Sequence, residues 1–169
     1  VNVKSSKKKN YILYIDVPIN HADRVLREGD VPIEIQIKFY QNLNRFLKKI
    51  SKIFKKKVII GAHPSSKIAL KYLSNFEISK KRTIDLIPNC ELVVVTHSSL
   101  ISSAVIYNKQ ILSIRSKYLG KFITNLAEKY MNALRLVSLD IDKNTRINKD
   151  DIVRKMNFSK KKYKKYLSS

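Results

Sequence analysis

A single cysteine, Cys90, three glycines, four prolines and no tryptophan stand in a chain of 169 residues. One cysteine excludes an intrachain disulfide framework and any cysteine-rich zinc site, and a reducing cytoplasm is the expected compartment. Three glycines are too few for a Gly-rich phosphate loop. Acidic side chains are also short, 13 against 35 Lys+Arg, which gives a formal net charge of +22. Such a field attracts polyanions, whether nucleic acid, anionic lipid or phosphorylated ligands. Lysine dominance, with Asn and Ile, also fits an AT-rich coding sequence, so part of that charge is compositional background. No window approaches the ~18 apolar residues of a membrane span. The first apolar run, "YILYIDVPI", is too short for a signal peptide and lacks a cleavage site. The chain opens on Val1, and residues 1–10 read as a basic linker or an artificial start, so a missing N-terminal partner domain is expected.

What is present is 44% hydrophobic content, enough for one core. Tyr11 to Val17 reads as a buried strand, followed over Pro18 to Asp30 by a loop with room for one helical turn. A helical stripe runs from about Ile33 to Phe54; its start is ambiguous, because Ile33, Ile35 and Ile37 alternate like a strand while Asp30 and Pro32 suit a helix opening. Val58 to Ala62 is a short strand, Ser66 to Leu73 a weaker helix, and Thr83 to Asn89 one turn stopped by Pro88. Glu91 to Thr96 is the most hydrophobic strand. A serine-capped helix, a strand (Gln110 to Ile114), a helix (Lys117 to Leu136) and an edge strand within Leu136 to Asp142 come next. A short final helix is capped by Asp150 or Asp151. Alternating strands and helices with continuously apolar strands predict a doubly wound, Rossmann-like α/β domain over 11–157, with a parallel sheet covered on both faces. Residues 158–169 read as a basic tail with no core to join.

In such a sheet, ligands bind beyond the carboxyl ends of the strands. Two ends share a pattern: Gly61 leads to His63, Pro64, Ser65 and Ser66, and Thr96 leads to His97, Ser98 and Ser99. Both lead toward helices, whose N-terminal N–H groups, with serine hydroxyls and a histidine, suit a phosphate. Each doublet has a plain structural reading as well: Ser98 and Ser99 as a cap pair, His63 as a loop histidine, Pro64 as a strand terminator. Two of the three histidines fall at these ends; the third, His21, reads as solvent-exposed in a polar loop.

"VIIGAHPSSK" followed by "CELVVVTHSSLISSAVIYNKQILSI" resembles the donor half of bacterial GT-B glycosyltransferases that use CMP-activated sugars, namely the sialyltransferases, polysialyltransferases and capsular Kdo transferases. The resemblance spans roughly Tyr11 to Ile114 and rests on its His-Pro and Ser-Ser motifs. It implies His63 as the catalytic residue that assists departure of CMP. It also implies a nucleotide phosphate held by His63, Pro64, Ser98 and Ser99, with Gly61, Ser65 and His97 as additional donor contacts. Implied partners are a nucleotide sugar, a saccharide or glycolipid acceptor and the missing N-terminal domain. The process implied is capsule or lipooligosaccharide synthesis on the inner face of the cytoplasmic membrane.

One departure is clear. The acidic-acidic-Gly motif that carries the family's catalytic carboxylate has only a poor counterpart in "REGD", so Glu28 and Asp30 read as loop and cap residues and the general base is expected elsewhere. No cofactor and no metal are expected; "DID" (Asp140 to Asp142) has the spacing of a metal pair but suits a turn near the sheet edge. On a helix, Phe158, Tyr163, Tyr166 and Leu167 of the tail would gather on one side among lysines, a pattern for an anionic membrane surface. The same composition suits nucleic acid. A basic nucleic-acid-binding α/β module is thus the competing function, and a third is an interaction domain with vestigial His-Ser sites.

Overall fold

The computed structural model describes residues 11–143, 147–156 and 159–168. The predicted linker, 1–10, and Phe158 lie outside the described residues. Among the described residues, six strands, all paired in parallel, form one sheet in the order β3-β2-β1-β4-β5-β6. They are β1 (Tyr11–Ile15), β2 (Lys57–Gly61), β3 (Glu77–Ile78), β4 (Leu92–Val95), β5 (Gln110–Arg115) and β6 (Leu139–Asp140). The chain winds outward from β1 to β3, returns to the centre, and winds outward again from β4 to β6. This is the doubly wound, Rossmann-like α/β arrangement, and its direction reverses between β1 and β4.

Strand residues alternate between two apolar layers, which explains why the runs are continuously hydrophobic. Ile12, Tyr14, Val58, Ile60, Val94 and Leu112 face one layer, where α2 (Ile33–Phe54) packs Phe39, Leu43, Leu47 and Ile50, α3 (Lys67–Tyr72) adds Ala69 and α7 (Lys149–Met156) adds Ile152. Leu13, Ile15, Ile59, Val93 and Ile111 face the other. There α5 (Leu100–Ile106) contributes Ile101 and Ala104, and α6 (Gly120–Leu134) contributes Met131 and Leu134. Glycine scarcity shows in the helix ends: α2 and α6 stop at Lys55 and Arg135, both left-handed at φ 52° and 51°, a conformation that favours glycine. Lys109, in the turn before β5, is buried and donates to the Pro88 and Cys90 carbonyl oxygens (2.6 and 3.0 Å).

The open start of the long helix resolves in favour of the opening at Pro32: Ile33, Ile35 and Ile37 belong to α2, where Ile35 packs against the core beside Phe39 and its neighbours while Ile33 stays exposed. Several other expectations change. The loop after β1 holds a full helix, α1 (Ala22–Glu28), and β3 was not expected, being only two residues long. Pro88 does not stop the turn at Thr83. A helix α4 (Thr83–Leu86) runs into a 3-10 turn over Ile87–Asn89, where the proline fits. The cap of α7 is Asn148, whose Oδ1 accepts from Asp151 N at 2.7 Å, so neither Asp150 nor Asp151 is the cap.

The largest correction concerns the tail. Residues Lys160–Leu167 form a helix, α8, that joins the core of the sheet's second face. Tyr163 is buried and donates its hydroxyl to the Lys109 carbonyl oxygen (2.6 Å), and Tyr166 pairs with Ser102 Oγ of α5 (3.0 Å). The aromatic side that membrane contact would need is therefore spent inside the protein. Lys160, Lys161, Lys164 and Lys165 remain exposed. Among the described residues, no helix is long and apolar enough to cross a membrane.

Candidate functional site

At the carboxyl edge of the sheet lies a cavity of about 360 Å³, within the size range of small-molecule sites. Its lining comes from the loops after β1 (Asp16, Val17), β2 (Ala62, His63, Pro64) and β4 (His97, Ser98, Ser99), together with residues of α1 and α6. It therefore sits where the strand order reverses.

Gly61 closes β2, and its lack of a side chain is a packing requirement. A Cβ there would lie 2.6 Å from Thr83 Cγ2, so only glycine lets the start of α4 close one wall. His63 comes next but one, exposed, and its ring is fixed from one side. Nδ1 lies 2.8 Å from Ser65 Oγ and accepts from the Ser65 backbone N–H at 3.3 Å. A backbone amide can only donate, so Nδ1 is the acceptor of the neutral ring and Nε2 carries its proton. Ser65 thus orients His63, and Pro64 is exposed between them.

Sequence reasoning passed over Asp16, which directly succeeds β1. Its Oδ1 accepts from Tyr40 Oη (3.2 Å) and its Oδ2 from the His63 backbone N–H (3.4 Å), so it holds the His-Pro loop against β1. Burial pushes its carboxyl pKa up, against a smaller lowering by these donors and the neighbouring Ser66. The Ser66 hydroxyl is buried beside it. The signal was available: Asp16 stands at a strand's carboxyl end, where the other candidates were found.

The second loop differs. His97 is buried, with Nδ1 3.2 Å from Thr96 Oγ1. Desolvation, with the charge of His21 as a smaller cause, lowers its pKa to about 4, so it is neutral at pH 7. Ser98 Oγ accepts from Leu100 N (3.2 Å) and keeps its own proton free to donate. Ser99 is exposed and makes no side-chain cap bond. The expected contribution of helix amides is smaller than the sequence implied. The N–H groups of Leu100, Ile101 and Ser102 already have partners, as do those of Ser66 and Lys67. An anion here would meet side chains first.

His21 is exposed, as expected, yet it lines the same cavity and caps α1 by accepting from Asp23 N at 3.4 Å. All three histidines therefore converge on one cavity. Arg24 of α1 lines it too, another residue that the sequence reading passed over. Glu28 lies at the end of α1, and its carboxylate caps α6 by accepting from Phe122 N (2.7 Å). The "DID" carboxylates serve local structure: Asp142 accepts from Asn42, Ser116 and the Lys117 N–H, and Asp140 lies 3.8 Å from Arg115. Among the described residues, no group of three His, Cys, Asp or Glu could hold a metal ion.

No family model matches the chain, and no curated protein matches it. A solved structure, spinosyn forosaminyltransferase SpnP, is similar at 11% identity with a TM-score of 0.43, over 96% of this chain and 39% of that one. This chain therefore spans about two-fifths of the length of that protein. Likeness at this level carries nothing about chemistry. The cavity has to supply that.

Proposed function

We propose that this chain is the nucleotide-sugar-binding domain of a GT-B glycosyltransferase that builds a bacterial surface polysaccharide, with a CMP-linked donor. The observation that carries the reading is the convergence of His63, with its outward Nε2–H, and Ser98 and Ser99 on one cavity at the reversal of the strand order. In the reaction the bond between the anomeric carbon and the phosphate oxygen breaks, and its electron pair stays on that oxygen. The charge developing there is what a catalyst must stabilise. His63 Nε2–H donates to the departing phosphate, and the hydroxyls of Ser98 and Ser99 hold it. Asp16 positions His63 through the peptide N–H, and Ser65 sets its tautomer. His97, being neutral, contributes a hydrogen bond without charge. On this reading the general base and the acceptor site come from a second domain, outside the residues of this sequence. Attraction to an anionic membrane would come from exposed lysines such as those of α8, and not from its tyrosines, which are spent on internal contacts.

The test is calorimetric titration and thermal denaturation with CMP, CDP and UDP at fixed ionic strength. CMP should bind and raise the midpoint, His63→Ala and Ser99→Ala should each weaken it about tenfold, and Lys129→Gln, an exposed charge control on α6, should not. If all three nucleotides leave the midpoint unmoved, the reading fails. A steeply salt-dependent affinity for oligonucleotides in their place would favour the nucleic-acid module that a charge of +22 permits.

A further inference from the structure

Another wall of the cavity is made by α1 and the first turns of α6, and it contains a buried cation that its own surroundings leave under-used. The Arg24 side chain is 8% exposed. Its Nη1 donates to the Gly29 carbonyl oxygen (2.9 Å), its Nη2 stands 3.5 Å from Glu28 Oε2, and its Nε has no hydrogen bond to any described residue. A guanidinium offers five N–H donors in a rigid fork matched to oxyanions. Burying it with so few partners is costly unless something else completes its shell.

The other oxygen of Glu28 accepts from Phe122 N, in the first turn of a helix of 15 residues. One carboxylate thus bridges a buried guanidinium and a helix N-terminus, two groups that together favour an anion. The approach needs Gly120, at φ 78°, where a Cβ would lie 2.7 Å from Glu28 Oε2 and 2.9 Å from Arg24 Nη2. Glu28 itself is the last residue of α1, before Gly29 at φ 76°, so its position depends on one glycine hinge. Phe122 and Arg24 both line the cavity that holds His63 and Ser98.

We infer that Arg24 and the first turn of α6 form a second oxyanion subsite, occupied in the resting chain by Glu28 and opened when a ligand carboxylate or phosphate displaces it. The inference rests on the nucleotide-sugar reading only for the identity of the ligand: a nucleotide held by one phosphate at His63 would bring its second anionic group here. On a CMP-linked donor that group is a carboxylate on the sugar; on a nucleoside diphosphate it is the second phosphate.

The experiment compares CMP, CDP and CMP-N-acetylneuraminate by calorimetry at fixed ionic strength, on the parent chain, Glu28→Gln, Arg24→Gln and the Lys129→Gln control. Glu28→Gln should tighten whichever doubly anionic probe uses the subsite by about tenfold relative to CMP, Arg24→Gln should abolish that preference, and the control should leave it alone. A gain for CDP identifies a phosphate subsite, and a gain for the sugar nucleotide a carboxylate subsite. Should Arg24→Gln fail to fold, Arg24→Lys, which keeps the charge and loses the fork, gives the same contrast. Equal ratios across all variants overturn the inference while leaving the nucleotide reading intact. If CMP itself does not bind, the nucleotide reading falls, and a pyrophosphate titration monitored at the Phe122 amide by NMR decides the subsite alone. A shift of that amide at lower concentration in Glu28→Gln supports it, and a silent amide overturns it.

Discussion

His63 and His97 each come after a buried parallel strand and each precedes a pair of serines, yet one is exposed and the other is 7% exposed. The difference comes from sheet position. β4 lies between β1 and β5 at the centre, so its exit is covered on both sides. β2 has on its outer side only β3, two residues long, and its exit opens to solvent. Burial then separates their chemistry. His97 is held neutral, with a pKa of about 4, whereas His63 keeps an Nε2–H that faces away from its anchoring bonds. A repeated motif therefore does not repeat a function; the sheet assigns the roles.

The strongest way to break this comparison is acid titration of stability. His97 has a pKa of about 4 in the fold against 6.5 unfolded. As pH falls below about 6.5, the unfolded chain takes up a proton that the fold refuses, so stability drops until about pH 4 and then levels. Linkage puts the loss on the order of 3 kcal/mol. Asp16 works in the opposite sense, since its raised pKa makes the fold take up a proton first on acidification. In urea denaturation, His97→Gln should flatten the acid limb and His63→Gln should leave it in place. Equal limbs in both variants would refute the contrast.

A second effect, about 1–3 kcal/mol, is expected from Gly61→Ala, whose methyl meets Thr83 Cγ2 at 2.6 Å. Thr83→Ala should recover most of it in a double-mutant cycle, and additive losses would show that α4 does not wall the His63 loop. Smaller still is the serine pair. Ser98→Ala should cost about 0.5–1 kcal/mol through the lost cap of Leu100 N, while Ser99→Ala should leave the stability within about 0.5 kcal/mol of the parent and still weaken CMP. The reverse order would reassign which serine is structural.

Much of this fold was legible because its strands are covered on both faces. Leu13 and Val93 serve one layer and Ile12 and Val94 the other, so the runs lack polar interruptions and announce a parallel sheet. β3 was not legible, since two residues carry no periodicity. α8 was misread for a different reason: eight residues with four exposed lysines look solvated until Tyr163 finds the Lys109 carbonyl oxygen. Within the site, His63, Pro64, Ser98 and Ser99 could be named from strand ends alone. Arg24 and His21 could not, because they come from a helix and its cap that the sequence presents as a polar loop.

The order of strands and helices, the two apolar layers and the strand-end histidines were determined by local pattern, which needs only side-chain hydropathy and spacing. Which histidine is neutral, which carboxylate pins the His-Pro loop, and that Glu28 reaches Phe122 across 94 positions of sequence were decided only by the tertiary structure. Burial and through-space electrostatics are properties of neighbours, and the chain acquires those neighbours only when the sheet is assembled.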